Sequence, residues 1–130
     1  MDKKNQVKIL VVEDDLFLLG MYSTKFELEG FKSFAVDSGE KALEVIFQEY
    51  PDIVLLDVVL PGIDGFEVLR QMRADDKTKD TPVILLTNLS QKGDVEKGLS
   101  LGANDYLIKA HFMPVEVIDK IKSLINNKKN

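Results

Sequence analysis

Residues 53–62 read IVLLDVVLPG, an apolar run that ends in a carboxylate and is followed by a turn sequence. A short, continuous run of Val, Ile and Leu is typical of a parallel strand that helices cover on both faces. Pro61-Gly62 favours a tight turn, so Asp57 should lie where the strand gives way to a loop. The stretch therefore predicts a buried parallel strand with a candidate nucleophile, Asp57, at its carboxyl end.

Similar short runs recur on both sides of this one. The segments between them carry apolar residues at helical spacing, for example Leu19, Tyr22 and Phe26. Strands that alternate with helices form right-handed crossovers and one parallel sheet. We therefore predict a three-layer, doubly wound α/β fold with five helices and with five strands at Val7–Val12, Phe34–Val36, Ile53–Leu56, Val83–Leu86 and Tyr106–Ile108.

Local signals mark where several of the helices begin. Asp37 and Asp64 each lie three residues before a glutamate, a spacing that resembles a capping box. The fourth helix, about Gln91–Leu101, contains Gly93 and Gly98. Glycine inside a helix costs about 1 kcal/mol relative to alanine. We therefore expect the fourth helix to be mobile.

The length of 130 residues suits one domain, and we expect a single domain over 1–130 with a core at about 7–125 and a tail at 126–130. Seventeen basic against twenty-two acidic residues give a net charge of −5, which argues against direct binding to nucleic acid or to anionic membranes. No apolar run reaches the roughly 18 residues of a membrane span, and the polar start lacks a signal-peptide pattern. We expect a cytoplasmic protein.

In open parallel sheets, ligands bind beyond the carboxyl ends of the strands. Polar side chains follow the predicted strands at these ends. With no cysteine and a single histidine, any chemistry must use oxygen ligands, hydroxyls or lysine. Taken alone, each residue has an ordinary structural role, such as capping of the first helix by Asp14 or Asp15. Together, converging carboxylates require a cation, for which Mg²⁺ is the natural candidate. The residues at the strand ends are Glu13, Asp14, Asp15, Asp57, Thr87 and Lys109.

Four segments in this order resemble bacterial response-regulator receiver domains, the phosphoacceptor modules of two-component signalling. They are ILVVEDD at 9–15, LLDVVLPGIDG at 55–65, LT at 86–87 and YLIK at 106–109. The resemblance covers roughly residues 8–124 and is to a stand-alone receiver of the chemotaxis type. It implies a flavodoxin-like sheet with the strand order 2-1-3-4-5.

The resemblance also implies a role for each residue at the acidic end of the site. Asp57 would accept the phosphoryl group. Asp14 and Glu13 would hold Mg²⁺ directly or through water, together with Asp57, and Val59 would add its backbone carbonyl oxygen.

Three further residues receive roles from the resemblance. Thr87 would donate a hydrogen bond to one phosphoryl oxygen, and Lys109 would pair with another. Tyr106 would be the aromatic switch residue that changes rotamer when Thr87 moves. Such roles agree with phosphoryl transfer, which depends mainly on positioning and charge neutralisation.

The sequence departs from the pattern of the family at several positions. Ala110 follows Lys109 where proline with a cis peptide bond is usual, and a cis Lys-Ala bond would cost about 3 kcal/mol. We therefore predict a trans bond and a reshaped loop. Asn88 stands where a small residue is usual, which changes access to the acyl phosphate. Val59 and Leu89 are apolar at two positions that tune hydrolysis in the family that the chain resembles, and we expect them to exclude water and slow dephosphorylation.

The resemblance implies a signalling domain that catalyses only its own phosphoryl transfer and dephosphorylation. A sensor histidine kinase or a phosphotransfer protein would supply the phosphoryl group. The face formed by the fourth helix, the fifth strand and the fifth helix would then change its preference for an output protein, or form a homodimer.

Two alternatives remain open from the sequence. A pseudo-receiver would bind partners without phosphorylation, which the missing proline after Lys109 allows. A Mg²⁺-dependent aspartyl phosphatase also uses a nucleophilic aspartate at a strand end, but its motif has a second aspartate where this chain has Val59.

Overall fold

The computed structural model describes residues 6–129, and within this range strands and helices alternate. The strands are β1 (Lys8–Val12), β2 (Lys32–Val36), β3 (Ile53–Leu56), β4 (Val83–Thr87) and β5 (Asp105–Ile108). The α-helices are α1 (Leu16–Leu28), α2 (Gly39–Glu49), α3 (Gly65–Ala74), α4 (Lys92–Ser100) and α5 (Pro114–Lys129). The predicted strands are confirmed with small differences at their ends. Among residues 6–129, no helix is long and apolar enough to cross a lipid bilayer.

The strands form one parallel sheet in the order β2-β1-β3-β4-β5, which confirms the expected topology. β1 and β3 are neighbours, and Val12 at the end of β1 lies opposite Leu56 at the end of β3. The chain therefore brings the residues after these two strands, Glu13 and Asp57, to the same edge of the sheet.

The core lies on both faces of the sheet because helices cover each side. α1 and α5 pack Phe26 and Ile121 onto one face, and α2 and α3 pack Ile46 and Met72 onto the other. All four side chains are fully buried. Complete burial of such side chains stabilises a fold by about 1.5–3 kcal/mol each. The two layers of helices hold the central strands, and thus the carboxyl edge of the sheet, in a fixed position.

Side-chain caps mark the starts of α2 and α3. Asp64 caps α3 as predicted, since its Oδ1 accepts a hydrogen bond of 2.9 Å from the Glu67 amide. The prediction that Asp37 caps α2 was wrong. The cap is Ser38, whose Oγ accepts from the Lys41 amide at 3.2 Å, while Asp37 forms an ion pair with the Lys41 side chain. Serine and aspartate cap helices about equally well, so the sequence alone did not distinguish these neighbours.

Candidate functional site

Three carboxylates meet at the carboxyl edge of the sheet. Glu13, Asp14 and Asp57 each offer an oxygen atom, and these atoms lie within 4.8 Å of one another. The Asp57 amide donates to the Val12 carbonyl at 3.0 Å, which extends the pairing of β1 and β3 as far as Asp57. Glu13 and Asp57 are each 5% exposed, whereas Asp14 is exposed. The structure thus brings together two buried carboxylates and one at the rim.

The neighbouring carboxylate of Asp15 has a different role. Its Oδ1 accepts hydrogen bonds from the amides of Phe17 at 3.0 Å and Leu18 at 3.1 Å, so Asp15 is the N-cap of α1. The Asp15 amide in turn donates to Oε2 of Glu13 at 2.9 Å. Asp15 therefore starts the helix and helps to orient Glu13, while Asp14 contributes to the cluster.

Lys109 connects the two buried carboxylates. Its Nζ lies 2.5 Å from Oε1 of Glu13 and 2.7 Å from Oδ2 of Asp57. The Lys109 side chain is only 17% exposed, so these contacts are partly shielded from water. When ionised, three carboxylates against one ammonium leave two uncompensated negative charges in the cluster.

The environment shifts the pKa of both Glu13 and Lys109. Burial raises the pKa of Glu13 above its ordinary value of 4.5, against the opposing effect of hydrogen bonds from Lys109 and from the Asp15 amide. Burial alone would lower the pKa of Lys109, but hydrogen bonds to Asp57 and Glu13 outweigh it and raise the pKa above 10.5. Lys109 is therefore a cation at neutral pH.

The loop after β3 holds the Asp57 carboxylate in place. The Val59 amide donates to Oδ1 of Asp57 at 3.2 Å, while Oδ2 faces Lys109. The Gly65 amide donates to the Val58 carbonyl at 2.8 Å, which brings the first residue of α3 against the loop. A Cβ atom at Gly65 would collide with the backbone carbonyl of Asp57. Glycine at this position therefore has a packing role that the sequence analysis missed.

Leu89 links the two predicted switch residues through its backbone. Its amide makes a long hydrogen bond of 3.4 Å to Oγ1 of the buried Thr87, and its carbonyl accepts a hydrogen bond of 2.7 Å from the Tyr106 hydroxyl. Burial raises the pKa of Tyr106 above 10.0, as do the negative charges of Asp94 and Asp57, so the hydroxyl keeps its proton. No side-chain pattern in the sequence indicates this backbone connection.

The segment after Lys109 has the geometry expected from the missing proline. Residues 6–129 contain no cis peptide bond, which confirms that the bond between Lys109 and Ala110 is trans. A short 3-10 helix, Lys109–His111, then leads to α5. A cavity of about 410 Å³ lies beside it, and Lys109, Asn88 and Phe112 contribute to its lining.

The donor set at the sheet edge fits Mg²⁺. This ion prefers oxygen ligands and is usually bound through one or two carboxylates while it keeps several waters. Glu13 and Asp57 supply buried carboxylates, and the exposed Asp14 marks a side that is open to water. A divalent cation would also balance the two uncompensated negative charges of the cluster.

Comparison with known proteins shows the family. The family model described as Response regulator receiver domain matches residues 9–122. The probable transcriptional regulator ycf27 of Cyanophora paradoxa is 37% identical over 97% of this chain and 51% of that protein. The DNA-binding response regulator MtrA of Mycobacterium tuberculosis is 38% identical over 95% of this chain and 52% of that protein. The chain spans about half the length of these relatives.

A solved structure shows the same similarity in three dimensions. The receiver domain of the Francisella response regulator 1452 superposes with a TM-score of 0.86 at 31% identity, and the match covers 95% of this chain and 99% of that one. The match to the family model and the match to this solved receiver domain both extend over most of the chain. The chain therefore belongs to the response regulator receiver domain family, the signalling domains of two-component systems.

Proposed function

We propose that this receiver domain accepts a phosphoryl group on Asp57 from a phosphohistidine of a sensor histidine kinase or a phosphotransfer protein. One observation carries the proposal. The buried carboxylate of Asp57 lies at the carboxyl edge of the sheet, and it accepts a hydrogen bond from Lys109 on one oxygen and from the Val59 amide on the other. Membership of the receiver family supports the same class of function.

The proposed reaction is an in-line displacement at phosphorus. A carboxylate oxygen of Asp57 forms the new bond to phosphorus while the phosphorus–nitrogen bond breaks, and its electron pair leaves with the donor imidazole. Such transfers depend on positioning and on neutralisation of charge on the equatorial oxygens. Lys109, already within 2.7 Å of Asp57, would pair with one of these oxygens. The Thr87 hydroxyl would donate a hydrogen bond to another.

Glu13, Asp14 and Asp57 would hold Mg²⁺ directly or through water, with the Val59 carbonyl as a further oxygen ligand. The bound ion supplies positive charge that offsets the charge on the phosphoryl oxygens. The geometry that supports this assignment is the approach of the three carboxylates and the hydrogen bond that orients Glu13.

The proposed output is a change in protein contacts rather than a reaction on an external substrate. Movement of Thr87 would act through the backbone of Leu89 on Tyr106, and so on the face formed by α4, β5 and α5. An output protein or a second copy of the chain would bind this face. The net charge of −5 favours signalling through protein contacts over direct contacts with nucleic acid. We place this signalling in the cytoplasm.

Chemical mapping of the phosphoryl group tests the proposal. After incubation with acetyl phosphate and Mg²⁺, borohydride reduction converts an aspartyl phosphate to homoserine, which peptide mass analysis locates. We expect homoserine at position 57 and none in Asp57→Asn. A modified residue elsewhere would contradict the assignment of Asp57, and an unmodified chain would favour the pseudo-receiver alternative.

A further inference from the structure

The middle of α4 lies unusually close to β4 and β5 at Gly98. A Cβ atom built on Gly98 would lie 2.7 Å from Cδ1 of Leu85 and 2.8 Å from Cδ2 of Tyr106. Real Cβ atoms essentially never come within 3.0 Å of such neighbours. The space that an alanine methyl group would need at position 98 is therefore already filled, in part by the ring of Tyr106.

Tyr106 is held at both ends of its side chain. Its hydroxyl donates to the Leu89 carbonyl at 2.7 Å, and an edge of its ring lies against Gly98. The ring thus bridges the segment after β4 and the underside of α4. A change of rotamer at Tyr106 would break the hydrogen bond and empty the space beneath Gly98 at the same time.

The two ends of α4 are held differently. The turn after the helix is fastened because Arg73 donates to the Gly102 carbonyl through Nη2 at 2.8 Å and through Nε at 3.1 Å. At the start of the helix, Gln91 supplies no side-chain cap. A Cβ atom at Gly93 would have no neighbouring heavy atom within 4 Å. The close contact of Gly98 with Tyr106 therefore lies between the C-terminal end of α4, which Arg73 holds, and the N-terminal end, which has no side-chain cap.

We infer that Gly98 is a positioning residue of the switch, because its missing side chain admits the Tyr106 ring beneath α4. The position of the ring and the seating of α4 on the sheet are then coupled. The inference rests on the proposed function for the importance of Tyr106, but the coupling itself belongs to the unphosphorylated chain. Gly98 is thus a packing requirement at the switch and not only a weak point of the helix.

Fluorine NMR of protein labelled with 3-fluorotyrosine tests the coupling without phosphorylation. The chain has three tyrosines, and Tyr106→Phe identifies the resonance of residue 106. In Gly98→Ala we expect this resonance to move towards its position in the unfolded chain and to gain solvent isotope shift. Gly93→Ala is the matched control, since it adds the same methyl group to the same helix in open space. An unchanged Tyr106 resonance in Gly98→Ala would overturn the inference.

Urea unfolding provides the second arm. We expect Gly93→Ala to raise the urea midpoint and Gly98→Ala to lower it. The midpoint of the double variant Gly98→Ala/Tyr106→Ala should lie below that of wild type by less than the sum of the losses in the two single variants. The reason is that alanine at position 106 leaves room for the methyl group at position 98. Additive losses would overturn the inference. Should Gly98→Ala not fold while Tyr106→Ala alone does, a folded double variant supports the inference and an unfolded double variant refutes it.

These results are separable from those on the proposed function. Wild-type protein that gains no phosphoryl mass from acetyl phosphate would count against the function and leave the NMR and urea results unaffected. Normal phosphorylation with no coupling of Gly98 to Tyr106 would refute the inference alone.

Discussion

Nζ of Lys109 lies 2.7 Å from Oδ2 of Asp57, across the end of β4. β3 and β5 are not paired with each other, so this contact joins two strands that the sheet keeps apart. It also places a cation beside the proposed phosphoacceptor before any phosphoryl group arrives.

Replacing Lys109 should slow phosphorylation. Loss of one preorganised hydrogen-bond donor at a site of developing negative charge typically costs on the order of 10²–10³ in rate, and Lys109 is such a donor with a full charge. We therefore expect Lys109→Ala to accept phosphoryl groups from acetyl phosphate at least about a hundredfold more slowly, measured by intact mass against time. Lys92→Ala, at a side chain that is 89% exposed, is the control and should match wild type. Equal rates for both variants would contradict the role of Lys109.

Removing Asp14 should stabilise the metal-free protein. Charges about 5 Å apart at an exposed rim repel by about 1 kcal/mol, so Asp14→Ala should raise the free energy of urea unfolding by about that amount. The variant should also lose much of the stabilisation that Mg²⁺ gives the wild type. Asp76→Ala removes an exposed carboxylate elsewhere and serves as control. If Mg²⁺ stabilised Asp14→Ala as strongly as wild type, Asp14 would not be a ligand.

The raised pKa of Glu13 predicts a dependence of stability on pH. The folded protein holds the Glu13 proton more tightly than the unfolded chain, in which the pKa of this side chain is near 4.5. The stability that this proton confers is complete below that value and is lost as the pH rises through the folded-state pKa. Glu13→Gln stays neutral, so without divalent ions its stability relative to wild type should grow between about pH 4 and about pH 7. A constant difference across this range in urea unfolding would argue against a raised pKa.

Gly65 should be intolerant of a side chain because of its contact with the Asp57 carbonyl. We expect Gly65→Ala to lower the free energy of unfolding by about 1–3 kcal/mol, as overpacking usually does. It should also slow phosphorylation by displacing Asp57. Gly20→Ala adds a methyl group in open space on α1 and should instead stabilise by up to about 1 kcal/mol. Similar stabilities for the two variants would show that the loop after β3 adjusts to the added methyl group, and would contradict the packing role of Gly65.

Sequence patterns predicted the parts of the fold that depend on burial alone. Continuous apolar runs such as Ile53–Leu56 indicated central parallel strands, and the residues after them indicated the carboxylate cluster of Glu13, Asp14 and Asp57. The strand order came from the resemblance of the motifs to a known family. These features depend on the pattern of residues along the chain or on the order of motifs, so they can be predicted from the sequence.

Features that depend on a close approach in three dimensions were out of reach of the sequence. Ser38 rather than Asp37 caps α2 because of where the helix begins, which neither side chain dictates. From the sequence, Gly98 only weakens the fourth helix, whereas in the structure the ring of Tyr106 lies beneath it. The link through Leu89 uses backbone atoms that every residue possesses.

The most direct test of the central claim is the intact mass of the protein after incubation with acetyl phosphate, with and without Mg²⁺. Wild type, Asp57→Asn and the control Asp76→Asn would be compared side by side. We expect a phosphoryl mass gain in wild type and in Asp76→Asn that requires Mg²⁺, and none in Asp57→Asn. A gain that persists in Asp57→Asn, or that does not depend on Mg²⁺, would contradict the account.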